Sequence, residues 1–236
     1  MFPDLRNQGG DMELRFFEIY RNPEYLWLLA EGVTLSALVT LAGAILGFAM
    51  AACLAVTRYE RIPVLHWIAA AYVDFIRNTP LIVQLFFVAF GLPQLLGYVW
   101  PFWAHAVLAL TLNFSAYFAE ILRAGFQTVD AGQHDAARAL GLPRFVRFFK
   151  IVLPQSIAQM FASLNSQFIF LFLTTGVISE IGVRDLTFAG LYIDSRTFRS
   201  FEVFITLTVL YILVSLAFKG LMRLVEKRAF RWKGAR

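Results

Sequence analysis

The sequence predicts an all-α, polytopic membrane protein with about five transmembrane helices. Its hydrophobic residues reach 59% and its charged residues only 16%, against roughly a quarter in soluble domains. Mean hydropathy is +0.64. The runs Gly32–Thr57, Asn78–Ala119, Ile151–Ser179 and Val203–Phe218 carry no charge at all. A bilayer core takes about 20 apolar residues per helix, so the second run has room for two spans around the turn residues Pro93, Gly97 and Pro101. The charged residues that remain cluster in loops beside those spans.

Residues 1–31 form an N-terminal segment of mixed charge, without the pattern of a signal peptide. Met12 offers a second start, and Met12–Leu29 is partly amphipathic, which fits a segment lying along the membrane surface. Span 1 covers about 32–56, where Gly43, Gly47 and Ala51 make a small-residue row suited to close helix contact. Cys53 lies inside it, and one cysteine excludes a disulfide framework. It is read as a small packing residue. After Arg58, Glu60 and Arg61 comes span 2, about 62–96; its first part, ending in Asp74 and Arg77, is expected either to enter obliquely or to lie near the interface, and Pro80 stands near the start of the span proper, about 78–96. Span 3 covers about 102–122, span 4 about 155–179 and span 5 about 201–221, the last two joined by a charged linker. A basic tail, 222–236, follows.

The net charge of +5 does not indicate a nucleic-acid partner, because its distribution follows the membrane. Arg58, Arg61, the five basic residues of 123–150 and the seven from Lys219 to Arg236 put fourteen cations on one side, against six on the other, with Arg77 unassigned. The positive-inside rule then places the N-terminus outside and the 130–154 loop and tail in the cytoplasm.

That loop has its own start and stop signals. Asp130 with Gln133 resembles a capping box, Gly141 suits the end of a helix, and Pro143 opens another, so two short helices joined at Gly141 are expected. Its alternative is an ordinary amphipathic connector with Asp135 merely solvated.

Asp135-Ala136-Ala137, three residues, Gly141, nine residues, Ile151, one residue and Leu153-Pro154 resemble the EAA loop of bacterial ABC-importer permeases, Glu-Ala-Ala-x3-Gly-x9-Ile-x-Leu-Pro. Asp135 departs from the usual Glu. Phe75-Ile76-Arg77-Asn78-Thr79-Pro80-Leu81-Ile82-Val83-Gln84 is similar to the Arg-Gly-Thr-Pro-Leu-x-Val-Gln signature of polar amino acid permeases, with Asn78 for Gly, and Ser115–Arg123 also resembles that subfamily. The resemblance implies a permease subunit of a bacterial inner-membrane importer for polar amino acids, or for a related derivative such as an opine or cystine. It implies two ATPase subunits, a second permease subunit (a copy or a different chain) and an external amino-acid-binding protein. It also implies that the loop is a coupling helix docking on the ATPase through His134, Asp135, Ala136, Ala137, Arg138 and Gly141. Ala136 and Ala137 would form its small face, and Asp135 would offer a carboxylate.

No Gly-x4-Gly-Lys-Ser/Thr loop occurs, so ATP and Mg belong to the partner, and this chain is expected to hold no cofactor. No nucleophile elbow or zinc motif suggests an enzyme, and His66, His105 and His134 lack metal-ligand spacing. A stand-alone channel or secondary transporter is the other class; the absence of a detectable inverted repeat argues against it. Polar groups at membrane depth usually face a cavity or the bundle interior. Arg77, Asn78, Thr79, Gln84, Asn113, Tyr117, Glu120 and Thr175 are therefore candidates for a substrate path. Arg77 and Glu120 would meet the two charges of a zwitterion; their alternatives are local pairs with Asp74 and Arg123.

Overall fold

The computed structural model describes residues 14–230. The Met12 start, Arg6 and the last basic residues of the tail, Arg231, Lys233 and Arg236, lie outside them. The described chain is helical: α1 (Phe17–Tyr20), α2 (Pro23–Tyr59), α3 (Leu65–Arg77), α4 (Leu81–Leu96), α5 (Phe102–Phe126), α6 (Ala131–Ala139), α7 (Arg144–Ile181), α8 (Leu186–Thr197) and α9 (Ser200–Ala229). Four of these, α2, α5, α7 and α9, are long and apolar enough to cross a membrane, and α3 with α4 makes a fifth, broken span. The fold class is the one the charge-free runs predict.

α5 is the hub. Ala106, Ala109, Leu110, Phe114, Ala116 and Ala119 are completely buried along it. α2 crosses it closely because Gly43 and Gly47 face it: a Cβ on Gly47 would lie 3.4 Å from the Thr111 carbonyl oxygen. In a membrane such close packing replaces the hydrophobic drive that holds soluble helices together. Around the bundle, large apolar side chains such as Ile45, Trp67, Leu95 and Phe204 stay exposed, as lipid-facing surfaces require. Cys53 also lies on the exposed side, not in a packing position.

α2, α5 and α9 end, and α7 begins, at the same end of the bundle, which is the basic one. There the rings of Tyr59, Phe126 and Phe148 pack together at 5.2–5.9 Å between centroids. At the opposite end Ile19, Leu29, Leu186, Ile193, Val203 and Leu207 form a second apolar cluster.

Four elements differ from the boundaries expected above, one of them α9, which runs on to Ala229 through residues expected as tail. α2 begins at Pro23, so the N-terminal segment shortens: the Asn22 side chain accepts from Glu24 N at 3.0 Å, and proline suits the first helical turn. The helix expected after Pro143 is not separate but is the start of α7. Pro154 does not interrupt it, because a π-turn over Phe148–Val152 absorbs the clash between the ring and the carbonyl four residues back. The same device, Phe87–Gly91, precedes Pro93 in α4. Finally, the linker before span 5 contains α8, capped by Asp185, whose Oδ1 accepts from Phe188 N at 2.9 Å.

Candidate functional site: an exposed helix and a broken span

α6 protrudes from the basic end between α5 and α7. Asp130 opens it by accepting from Gly132 N at 2.7 Å. Gly141, at φ +67°, closes it: its N–H donates to Arg138 O at 2.9 Å, and Leu142 N donates to Ala137 O at 3.1 Å. This is a Schellman end, and it needs a residue that tolerates the left-handed region. The helix is sided. Ala137 is 1% exposed and turned toward the bundle, with His134 half-buried near it. Asp135, Ala136 and Leu140 face outward, the Asp135 side chain being 74% exposed. The small face expected of Ala136 and Ala137 is thus split: only Ala136 is available to another protein. Arg138 lies 3.9 Å from Asp135, a loose contact between exposed groups. Beside α6 a cavity of about 290 Å³ is lined by Tyr59, Glu60, His134, Arg138, Arg144 and Arg147 among others. Arg144 crosses its edge to pair with the Glu60 carboxylate and to donate to the Glu60 carbonyl at 2.9 Å.

The second site is the break between α3 and α4, a bend of 107°. Pro80 cannot continue a helix from Asn78 and Thr79, so the end of α3 must satisfy its carbonyls otherwise. Asn78 Nδ2 donates to Asp74 O at 2.7 Å, and Thr79 Oγ1 to Phe75 O and Ile76 O at 3.1 and 3.2 Å. Gln84 reaches back from α4, donating to Ile76 O at 2.8 Å and to Thr79 O at 3.2 Å. Asn113 of α5 holds Gln84 in place, donating to its Oε1 at 2.9 Å. Alongside, Tyr72 OH donates to Leu112 O at 2.9 Å.

Nearer the basic end sits a charge cluster. Glu120 accepts from Arg58 of α2 at 2.8 Å, pairs with Arg123, and lies 3.9 Å from Arg77. Arg77 also covers the Tyr117 ring at 5.6 Å. Arg58, expected only as a loop residue, is in the last turn of α2. Among the described residues Arg77 makes no ion pair with Asp74; Asp74 is exposed and acts electrostatically on Arg123 instead. The cluster therefore holds three guanidiniums and two carboxylates.

Seven of the eight path candidates thus meet around α3, α4 and α5. Thr175 does not join them: it is buried where α7 tightens into a 3₁₀ turn, its hydroxyl donating to Phe172 O at 2.7 Å. The polar residues that position α8 were missed. Ser36 Oγ accepts from Leu186 N at 3.2 Å, Thr187 and Tyr211 share a hydrogen bond at 2.8 Å, and Asp185 is fully buried. The one available signal was Asp185 standing immediately before an apolar stretch, where a helix cap belongs. No group of His, Cys, Asp and Glu among the described residues could hold a metal.

Residues 43–231 match the family described as binding-protein-dependent transport system inner membrane component. The L-cystine transport system permease protein TcyL of Bacillus subtilis is 37% identical over 189 residues, 77% of this chain and 79% of its own. The octopine transport system permease protein OccM of Rhizobium radiobacter is 33% identical over 87% of this chain and 89% of its own. The arginine transport system permease protein ArtQ of Bacillus subtilis is 32% identical over 85% and 91%. A crystal structure of an amino acid ABC transporter with histidines superposes with a TM-score of 0.83 at 34% identity, over 92% of this chain and 100% of that one. An inward-facing MetNI methionine ABC transporter shares the fold, with a TM-score of 0.76 at 19% identity over 88% and 99%.

Proposed function

Because the chain belongs to the family of binding-protein-dependent transport system inner membrane components, we propose that it is the membrane-spanning permease subunit of an ABC importer for polar amino acids. It would pass the substrate across the bacterial inner membrane while separate ATPase subunits supply the work. The observation that carries this reading is α6, an outward-facing, EAA-like helix at the basic end of a chain without a phosphate-binding loop of its own.

In this reading the basic end is cytoplasmic and the N-terminus external, following the excess of cations beside α6 and α9. Two ATPase subunits, a second permease subunit and an external amino-acid-binding protein complete the assembly. α6 offers the ATPase Asp135, Ala136 and Leu140; Asp135 would meet a cationic group there, one methylene further away than a glutamate would. His134 and Ala137 set the helix against the bundle, Gly141 ends it, and Arg138 lies at its flank.

The substrate path runs beside the break, past Asn78, Thr79, Gln84, Asn113 and Tyr117. Glu120 is already surrounded by three guanidiniums, so it is poorly placed to hold a substrate ammonium. Arg77, with 39% of its side chain exposed, suits a carboxylate. Thr175 lines a separate part of the bundle. Relatives named for cystine, arginine and octopine support a carried amino acid or an amino-acid-derived opine.

The test is ATP hydrolysis by the reconstituted complex, screened against amino acids with the cognate binding protein. Stimulation by one polar amino acid or opine is expected. A purified chain that holds no ATPase subunit, yet passes solute on its own, would refute the assignment.

A further inference from the structure

The cavity beside α6 carries more positive charge than its neighbours neutralise. Glu60, the one carboxylate that lines it among the described residues, is already engaged by Arg144. Arg138 reaches only Asp135, across solvent. Arg147 is half-buried and, among the described residues, its side chain has neither an ion pair nor a hydrogen bond. A guanidinium presents five donors in a planar fork that matches phosphate oxygens, and it is costly to desolvate without an acceptor.

Two further observations choose among anions. Phe148, buried against Tyr59 at 5.9 Å, gives the cavity an apolar wall at the end of the membrane helices. Next to it the rings of Phe145 and Phe149 meet at a tilt, 4.3 Å between centroids, and remain 70% and 45% exposed. Basic pockets between helix ends, bordered by apolar surface, are where acidic lipid headgroups bind. At about 290 Å³ the space is at the lower bound of small-molecule sites, about 300 Å³, which suits a headgroup whose chains lie elsewhere. An acidic side chain of a protein partner is the competing occupant. It would account for the charge but not for the exposed phenylalanine pair, and the outward face of α6 points away from the cavity.

We propose that this cavity binds the phosphate headgroup of an anionic phospholipid through Arg147 and Arg138, with the acyl chains running along Phe145 and Phe149. The lipid would tie the root of α6 to the membrane surface and so fix the angle at which the helix is presented.

The experiment titrates the purified full-length chain, in uncharged detergent, with dioctanoyl phosphatidylglycerol, dioctanoyl phosphatidylcholine and inorganic phosphate, reading bound molecules by native mass spectrometry. Saturable binding of phosphatidylglycerol alone is expected, weakening with added salt and falling about fivefold in Arg147→Gln, the loss of one cation at a membrane surface. Arg138→Gln, which removes the other proposed ligand at an exposed position, should weaken binding likewise and serves if Arg147→Gln does not fold. Phosphatidylglycerol binding that both variants leave unchanged overturns the proposal. Displacement of the lipid by phosphate makes this a free-anion site and overturns it too. Loss of co-purified ATPase subunits from Arg147→Gln, with lipid binding intact, assigns the cavity to a protein contact.

Discussion

Asn113 donates its side-chain amide to Gln84 Oε1 at 2.9 Å, and Gln84 turns its own amide onto the last carbonyls of α3. One hydrogen-bond chain thus joins the hub helix to the break between α3 and α4. It lets backbone without helical partners exist at membrane depth, which lipid alone does not permit. Asn113→Leu removes the donor and leaves Gln84 free to swing. We expect a loss of about 1 kcal/mol, the usual scale for side-chain hydrogen bonds between membrane helices. Thermal unfolding of Asn113→Leu, Gln84→Leu and the double variant checks this. Strict additivity would show that the two residues do not act as a unit.

Glu120 balances charge for Arg58, Arg77 and Arg123. Glu120→Gln should therefore lower stability, by roughly 1–3 kcal/mol, the scale for leaving charged groups short of a hydrogen-bond partner. Removing one cation as well, in Arg58→Gln/Glu120→Gln, should restore part of that loss. A substrate ligand would behave differently: transport would fall in both variants while stability stayed level. Unfolding midpoints beside uptake rates separate the two roles.

Asp135 is so exposed that its replacement should cost the fold less than about 0.5 kcal/mol. Asp135→Ala is expected to leave the unfolding midpoint in place and to lower substrate-stimulated ATP hydrolysis, whereas Asp135→Glu retains it. Full stimulation in the alanine variant would remove Asp135 from the coupling contact.

The spans were legible because lipid imposes a coarse rule, and Gly32–Thr57 or Val203–Phe218 obey it without exception. The start of α2 was not: Glu24 and Glu31 lie beyond the apolar run, and a helix continues through such residues at no great cost once it has left the bilayer core. Nor was the fusion of α7 across Pro154, since a π-turn depends on how neighbours pack and not on the residues it contains. The residues of the break were picked out by polarity alone. The Glu120–Arg123 pair follows from spacing within one helix, but that Gln84 serves the backbone of α3, and that Glu120 also meets Arg58 of α2 and Arg77 of α3, are tertiary facts that no such spacing encodes.

α8 depends on the absence of a side chain at Gly32. A Cβ there would stand 2.8 Å from Leu186 Cα and 2.9 Å from Asp185 O, both backbone atoms that cannot rotate away. Gly32→Ala must push α8 off α2, at a cost of about 1–3 kcal/mol, the range for overpacked sites. Gly97→Ala is not a suitable control because of its positive φ, but Gly220→Ala, where nothing lies within 4 Å, is. The control should match or exceed the parent in thermal stability; equal behaviour of Gly32→Ala would show that α8 does not need this contact.

The same junction makes stability depend on pH. Burial pushes the Asp185 carboxyl up to about 6 from its ordinary 3.8, although backbone amides of Phe188 and Thr187 pull it back; its Oδ2 has no partner among the described residues. Since the folded chain holds this proton more tightly than the unfolded one, the stability it confers is complete below about pH 4. It is lost as pH rises through about 6, and it stays lost above that. Asp185→Asn keeps an oxygen for Phe188 N and has no charge to desolvate. The variant should match the parent at pH 4 and exceed it at pH 7.5, by at most about 3 kcal/mol for a shift of roughly two pH units. Unfolding midpoints of the two proteins between pH 4 and 8 give the difference directly, because every other carboxylate titrates equally in both. If the asparagine variant is less stable at pH 7.5 and the gap does not change with pH, Asp185 is ionised in the folded protein and acts as an ordinary helix cap.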